Sequence, residues 1–450
     1  MEKFFKLKEN GTTVKTEILA GVTTFLSMVY ILAVNPTMLS AAGMDSAAVF
    51  TATAVSAAFA TLLMAFLANY PVALASGMGL NAYFAYTVCG ELAANGINNP
   101  YQVALTAILV EGIVFILLSL VKFRETLVNK IPNNLKLAIT AGIGLFITII
   151  GLKSAGVVIA DPATLVGLGS LSSPTVVLAL VGLIIIAVLN HFKVVGSILW
   201  GILLTWGLGI VAQLTGWYVI NPEAGAFSLI PNFSVGVLPA APHWFEFDFS
   251  YMVNHAVDFA VIVFSFLFVD LFDTVGTLIG VASKGNMLDE DGHLPRVGRA
   301  LMSDALGTVA GACLGTSTVT SYVESSAGVA QGGRTGLTGV TVAILFIASL
   351  FFAPIFLAIP GFATAPALIY VGLLMLSAIK GMDFETDMAA TVGGFLAIIM
   401  MPFTYSIANG IMFGILAYVV IKVLCGKFRD VHVVMWISSI LFALKIFTML

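Results

Sequence analysis

The most conspicuous absence in this sequence is charge. Of its 450 residues, 9% are charged and 60% are hydrophobic, whereas about 25% of the residues of an ordinary soluble domain are charged. The mean hydropathy is +1.06. No soluble core could absorb so much apolar surface, so lipid must be the solvent for most of the chain. The composition therefore excludes a soluble globular protein and predicts one membrane domain over residues 1–450.

Cysteine and histidine are scarce as well. The three cysteines (Cys89, Cys313 and Cys425) are scattered through apolar stretches, and the five histidines show no metal-ligand spacing. This pattern supports neither a disulfide framework nor a metal site. No nucleophile–base pair and no phosphate-binding loop stands out. We therefore expect no metal, no cofactor, no nucleic acid partner and no enzymatic activity.

What the chain has in abundance is long apolar runs. A run of about 17–25 apolar residues is long enough to cross a bilayer as a helix. We predict fourteen spans, some short or broken, at 17–38, 47–69, 72–90, 100–121, 135–152, 174–191, 194–214, 255–283, 298–313, 314–333, 336–358, 363–379, 386–402 and 406–424. The apolar tail 431–450 is expected to form an interfacial helix, with a fifteenth span as the alternative.

The distribution of lysine and arginine offers an independent test of this count. With the N-terminus in the cytoplasm, 17 of the 19 basic residues fall on the cytoplasmic side. Lys153 is the exception, and the position of Lys445 depends on the tail. The long loop 215–254 contains no basic residue and falls outside. This asymmetry is what the positive-inside rule requires, so both termini are predicted to be cytoplasmic.

Two of the predicted spans are poor membrane helices. In span 3, Gly77 and Gly79 interrupt the helix before Asn81, and in span 10 a run of threonines and serines precedes Glu324. Extended backbone at membrane depth survives only where protein or a cavity surrounds it. Broken segments at matching places in two halves of opposite orientation point to a binding site between them. The sequence thus predicts an all-α polytopic membrane protein with 14 transmembrane segments in a 7+7 inverted repeat and two broken helices.

Several acidic residues lie inside apolar runs. They are Asp270 and Asp273 in span 8, Asp304 in span 9, Glu324 in span 10 and Glu111 in span 4. An acidic residue at the centre of a membrane helix costs about 2.5–3.5 kcal/mol, and such residues usually face a cavity, a partner or a proton path. The basic residues within the predicted bounds, Lys136, Arg299 and Lys422, lie within three residues of a span end, so ion pairing does not explain the acids. Asp270, Asp273 and Asp304 are the candidates for proton coupling, and Glu111 is expected to be an interhelical contact.

The span 8 acids share one helical face with Thr274, because their spacing follows the turns of a helix. A carboxylate there could accept two parallel N–H bonds from the edge of a planar ring, and backbone groups at Leu80 and Val323 could complete the contact.

Each of these interpretations has a structural alternative. Asp273 could merely bond a neighbouring hydroxyl, and Asp304 fits a structural or proton-path bond better than a direct ligand contact. Ser321 and Glu324 have the spacing of a capping box, in which the glutamate only caps the half-helix. Asn81 could equally be the N-cap residue after the glycine turn.

Four motifs in order carry a resemblance to a known family. GMGLNAYFAY, DLFDTVGTLIGVA, LPRVGRALMSDALGT and TSTVTSYVESSAGV resemble the AzgA-like purine permeases, a branch of the nucleobase–cation symporter-2 (nucleobase–ascorbate) family. The resemblance covers essentially the whole chain. It implies a core domain (17–121 and 255–358), a gate domain (135–214 and 363–424), proton symport of a purine base and often a homodimer.

The resemblance also implies site residues. Asp273 matches the acidic residue of span 8, Glu324 matches the span 10 residue that holds the base, and Asn81 matches the span 3 asparagine of the branch. The family pattern has glutamate where this chain has aspartate on span 8. This shorter side chain leaves open whether Asp273 or Asp270 contacts the base. The substrate-binding prediction comprises Asp273, Glu324, Asn81, Leu80, Val323 and Thr274.

The predicted function is secondary active transport. We expect proton symport of purine nucleobases across the cell membrane into the cell by an elevator-type movement, with hypoxanthine or guanine ahead of adenine. The alternatives are sodium coupling or an anion carrier of the same architecture. An anion carrier is disfavoured because the candidate site is acidic and the interiors of the spans hold no basic residue.

Overall fold

The computed structural model describes residues 2–120, 132–221, 226–230, 239–288 and 294–449. Within these ranges fourteen segments follow one another in the predicted order. They are span 1, Val14–Ser40; span 2, Ser46–Ala68; span 3, 74–94; span 4, Pro100–Leu120; span 5, Asn133–Ser154; span 6, Pro174–His191; span 7, Ser197–Leu214; span 8, Ala256–Lys284; span 9, Val297–Leu314; span 10, 319–330; span 11, Gly336–Leu357; span 12, Gly361–Gly381; span 13, Met388–Phe403; and span 14, Ile407–Leu424.

The all-α polytopic architecture is therefore confirmed, and most ends lie within a few residues of their predicted positions. Span 7 begins three residues late, because Gly196 before it has a left-handed backbone with φ 71°. Residue 121, the predicted end of span 4, lies outside the described residues, as do Lys122, Arg124 and Lys130 of the loop that follows.

The described residues also form four short strands: β1 (Leu74–Ser76), β2 (Val158–Asp161), β3 (Leu165–Leu168) and β4 (Val319–Ser321). Strands β1 and β4 are the extended parts of spans 3 and 10, and they pair with each other in antiparallel fashion. The two predicted broken helices are thus confirmed. Strands β2 and β3 form a hairpin between spans 5 and 6, which the sequence analysis did not predict.

Span 1 is also interrupted, at a place without glycine or proline. Its first helix ends at Met28 and its second begins at Ile31, so Val29 and Tyr30 lie in the break. The ring of Tyr30 is buried. Spans 2 and 3 each contain a π-helical stretch, Met64–Ala68 and Tyr83–Val88. Such widened turns occur frequently at functional sites, and Met64 of the first stretch belongs to the same buried cluster as Leu74 and Val319 of the strand pair.

The spans pack in two groups. Spans 1, 2, 4, 9 and 11 are connected by extensive helix–helix packing, and so are spans 5, 6, 7, 12, 13 and 14. A buried acid contributes to the first group: Glu17 of span 1 accepts hydrogen bonds from the backbone N–H groups of Arg334 and Thr338, at 2.8 and 3.1 Å. It thereby satisfies free donors at the start of span 11.

The C-terminal tail forms a helix, Val433–Met449, which packs against spans 8 and 14. The ring of Phe442 lies 5.6 Å from the ring of Phe264, edge to face. Phe264 lies well inside span 8, whereas a helix on the membrane surface would contact only the ends of spans. This contact favours insertion of the tail alongside span 8 over the interfacial position expected from the sequence.

Candidate functional site

The site is organised by the β1–β4 pair. Leu74, Ala75 and Ser76 lie opposite Ser321, Thr320 and Val319. The pairing continues on both sides, since Gly77 N–H donates to Thr318 O at 3.0 Å and Tyr322 N–H donates to Ala73 O at 2.9 Å. These bonds supply the partners that extended backbone needs at membrane depth. The pair fixes the start of two half-helices that begin at Met78 and Ser325.

Two threonines support the strands from neighbouring spans. Thr61 of span 2 bonds to both backbone groups of Leu74, accepting from N–H at 2.9 Å and donating to the carbonyl at 3.1 Å. Thr308 of span 9 donates to Val319 O at 3.0 Å. In each half of the chain, a threonine of the preceding span therefore forms hydrogen bonds to the backbone of the strand.

One hydroxyl links the acidic residues of spans 8 and 9. The Thr274 hydroxyl lies 2.8 Å from Asp304 Oδ1, 3.2 Å from Asp270 Oδ1 and 2.7 Å from the Thr320 hydroxyl of β4. All four side chains are buried. A hydroxyl donates only one hydrogen bond at a time, so Thr274 can serve either carboxylate but not both. This arrangement confirms that Asp304 makes a side-chain bond inside the protein.

Asp273 differs from these two aspartates. It is only partly buried, and within the described parts of the chain no group donates a hydrogen bond to its carboxylate. It lies within electrostatic reach of Asp304 and Glu324, and a Cβ added to Gly77 would come within 3.8 Å of its Oδ2. The alternative that Asp273 merely bonds a neighbouring hydroxyl is therefore wrong for this structure. Its acceptor oxygens face the strand pair and are available to a ligand.

Glu324 lies immediately before the half-helix of span 10. Its Oε1 accepts a hydrogen bond from the Tyr30 hydroxyl at 2.5 Å. The capping-box alternative is wrong, because Ser321 belongs to β4 and the half-helix start has no side-chain cap bond. The carboxylate of Glu324 is thus held by span 1, with Oε2 outside that bond.

Asn81 occupies a different kind of position. It is the fourth residue of its half-helix, and Gly77 is the residue before that helix, so Asn81 is not the N-cap. Its buried amide accepts from the Ser317 hydroxyl and donates to Ser76 O at 3.4 Å. The structure therefore places the Asn81 amide against Ser317 and Ser76 inside the protein. Its contact with a substrate stays a prediction.

The side chains of the remaining predicted residues differ in their exposure. Leu80 is 1% exposed, whereas Val323 is 51% exposed beside Glu324. Glu111 accepts from Thr318 at 2.8 Å, which confirms the expected interhelical contact. The structure thus gathers Asp270, Asp273, Thr274, Asp304 and Glu324 around the strand pair. The sequence analysis missed Tyr30 and Thr320, although the hydroxyl-rich run of span 10 was a signal for the latter.

The two sides of the site differ in access. Toward the Lys284 end of span 8, a Cβ added to Gly276 or Gly280 would meet no atom within 4 Å. Toward the opposite end of span 3, the ring of Tyr405 lies 6.2 Å from that of Tyr86 and 5.6 Å from that of Phe146. The Tyr86–Tyr405 contact therefore joins span 3 to the group of spans 5–7 and 12–14 at one end, while the face of span 8 at Gly276 and Gly280 is unfilled by the described residues.

Comparison with known proteins places this geometry in a family. A family model described as "Permease family" matches residues 15–413. The guanine/hypoxanthine permease PbuO of Bacillus subtilis is 44% identical over 98% of this chain and 99% of its own length. The adenine permease AdeP of Escherichia coli is 43% identical over 99% of this chain and 96% of its own.

Solved structures show the same fold at lower sequence identity. The transmembrane domain of the cyanobacterial bicarbonate transporter BicA superimposes with a TM-score of 0.66, covering 88% of this chain and 96% of that domain. The two sequences are 17% identical, so this likeness concerns the fold alone. It supports the arrangement of fourteen segments as two repeats of seven.

Proposed function

Because this chain belongs to the nucleobase–cation symporter-2 permease family, we propose that it carries purine bases into the cell together with protons. Family membership makes it a multi-pass membrane transporter and not an enzyme. The observation that carries the substrate assignment is the pair of carboxylates at the strand pair. Asp273 has acceptor oxygens without a donor in the described chain, and Glu324 keeps Oε2 outside its bond to Tyr30.

The chemistry of a purine edge fits these acceptors. Purine bases present N–H groups on a flat ring, and charge-assisted hydrogen bonds from such groups to carboxylates are stronger than bonds between neutral groups. A site with carboxylates and without basic residues would repel an anion. The relatives named guanine/hypoxanthine and adenine permeases make hypoxanthine, guanine and adenine the bases to test first.

The proton assignment is supported by the Thr274 cluster. One hydroxyl lies within hydrogen-bond distance of both Asp270 and Asp304, so a proton taken up by either carboxylate stays within this buried cluster. We propose that Asp270, Asp273 and Asp304 share the coupled proton, which is released together with the purine. Intramembrane acids in carriers commonly serve as such proton relays.

The movement is proposed to be an elevator. The packing groups support a core of spans 1–4 and 8–11, residues 17–121 and 255–358, and a gate of spans 5–7 and 12–14, residues 135–214 and 363–424. The site would move with the core past the aromatic contact at Tyr405. With the N-terminus and Lys427 on the cytoplasmic side of the cell membrane, the Lys284 end of span 8 faces inward. A homodimer remains part of the proposal.

Uptake of radiolabelled hypoxanthine by cells that express the protein tests the proposal. We expect competition by unlabelled guanine or adenine, a fall in accumulation when a protonophore collapses the proton gradient, and no effect when choline replaces sodium. Cells with the empty vector provide the background.

Uptake that requires sodium and survives a collapsed proton gradient would overturn proton coupling in favour of the sodium alternative. Absence of purine uptake with the protein present in the membrane would overturn the substrate assignment itself.

A further inference from the structure

Tyr30 is a buried tyrosine at the interruption of span 1, and its hydroxyl meets Glu324 across 294 positions of sequence. The ring is 1% exposed. Val29 and Tyr30, between the two helices of span 1, keep right-handed backbone angles, and the Tyr30 side chain reaches Glu324 from this interruption. A break without glycine or proline costs backbone hydrogen bonds, which the surrounding structure must compensate. Here the break delivers a phenol to a carboxylate.

The bond at 2.5 Å occupies Oε1 of Glu324. A phenol donating to a carboxylate makes a charge-assisted hydrogen bond, shorter and stronger than a neutral one. Glu324 is attached to the first turn of a half-helix of six residues, Ser325–Ala330, so its side chain would otherwise rotate among several rotamers. Fixing Oε1 also fixes the direction in which Oε2 points.

From this geometry, and resting on the proposed function, we propose that Tyr30 is a positioning residue for the purine site. It holds Glu324 in the rotamer that presents Oε2 to an N–H group of the base. Tyr30 acts through Glu324 and does not itself touch the substrate. With Oε1 bonded to Tyr30, Glu324 offers Oε2 to the base, and Asp273 would accept further N–H groups of the ring edge.

The chain supplies a matched control in Tyr322. This tyrosine is also buried and lies two residues from Glu324, but its hydroxyl donates to the backbone carbonyl of Ser76 at 2.5 Å. Replacement of either tyrosine by phenylalanine removes one hydroxyl from a similar environment. Tyr30→Phe loses the bond to the Glu324 carboxylate, whereas Tyr322→Phe loses a bond to the backbone of the strand pair.

The test is a double-mutant cycle of hypoxanthine binding to purified protein, which isolates the coupling between two side chains. The Tyr30→Phe variant loses a hydrogen bond to a charged group, so its affinity for hypoxanthine should be about tenfold lower than that of the wild type, or lower still. In the Glu324→Ala background, which lacks the acceptor for the Tyr30 hydroxyl, the same replacement should change affinity less than about twofold. Tyr322→Phe should show no such dependence on Glu324.

Equal effects of Tyr30→Phe in both backgrounds, or wild-type affinity of Tyr30→Phe, would overturn the positioning role. If Tyr30→Phe does not fold, Glu324→Asp gives a second route, because its shorter side chain keeps the charge but withdraws from the hydroxyl. Glu324→Asp should then lose affinity about tenfold, and wild-type affinity would overturn the proposal. Failure of the wild-type protein to bind any purine would instead overturn the proposed function, so the two failures are distinguishable.

Discussion

Spans 3 and 10 share one backbone plan and differ in the side chains they place on it. Each has a short strand, a turn and a half-helix, and each strand receives a threonine bond from the preceding span. At the residue before the half-helix, however, span 3 has Gly77 and span 10 has Glu324. The inverted repeat therefore supplies the backbone geometry twice and a carboxylate at this position once.

The difference shows why the two halves cannot substitute for each other. Gly77 lets the backbone of span 3 pack closely against β4, because a Cβ there would lie 2.6 Å from Thr320 Cγ2 and 3.8 Å from Asp273 Oδ2. Glu324 has the equivalent place in the other half, with a carboxylate held by Tyr30. Span 3 thus provides close backbone packing beside Asp273, and span 10 provides a second carboxylate.

Removal of the two carboxylate charges should have the largest effect on purine binding. Glu324→Gln and Asp273→Asn should each weaken hypoxanthine binding about tenfold or more, because each loses charge-assisted hydrogen bonds worth about 1.5–3 kcal/mol. Asp273→Asn should be at least as damaging in accumulation assays, since that aspartate is also assigned to proton coupling. Binding to purified protein, with a thermal unfolding control for folding, measures both.

A variant that binds and exchanges purine but no longer accumulates it would identify its position as the proton carrier. Wild-type affinity in both variants would mean that the purine binds elsewhere in the protein.

Much of this plan could be predicted from the sequence. The apolar runs located fourteen spans, and glycines in span 3 and hydroxyl residues in span 10 located the two breaks. These features are local, since the length of a run and the residues that break a helix are visible within about twenty positions. The acids stood out because carboxylates are costly in a membrane.

What the sequence could not supply are contacts between distant positions. The break at Tyr30 has no glycine or proline to announce it, and its partner Glu324 lies 294 positions away. Glu17 reads as part of a charged N-terminal segment, yet it caps span 11 from 317 positions away. Asn81 looked equivalent to Glu324 because both follow the breaks in their spans. The structure shows that the residue equivalent to Glu324, directly before the half-helix, is Gly77.

A second prediction sharpens the role of Gly77. In Gly77→Ala the new Cβ would lie 2.6 Å from Thr320 Cγ2 and 3.2 Å from Leu80 Cδ1, so the strand pair must shift. Inserting a methyl group into such a packed place costs about 1–3 kcal/mol, and affinity for hypoxanthine should fall because the strand pair beside Asp273 is displaced. The unfolding temperature in detergent and the affinity are the measurements.

Gly276→Ala is the matched control, because a Cβ at Gly276 would meet no atom within 4 Å. It should leave the unfolding temperature close to that of the wild type. Equal losses in the two variants would show that the strand pair is not the tight element described above.

The smallest expected effects concern the threonines that support the two strands. Thr61→Val and Thr308→Val each keep the side-chain shape and remove the hydroxyl. Thr308 makes one bond, to Val319 O, whereas Thr61 makes two, to the N–H and the carbonyl of Leu74. With about 0.5–1.5 kcal/mol for each bond, Thr61→Val should destabilise the protein up to twice as much as Thr308→Val. Unfolding of the purified variants gives the difference. A larger loss from Thr308→Val would contradict it, and would mean that the strand beside Glu324 depends more on its support than the strand beside Gly77.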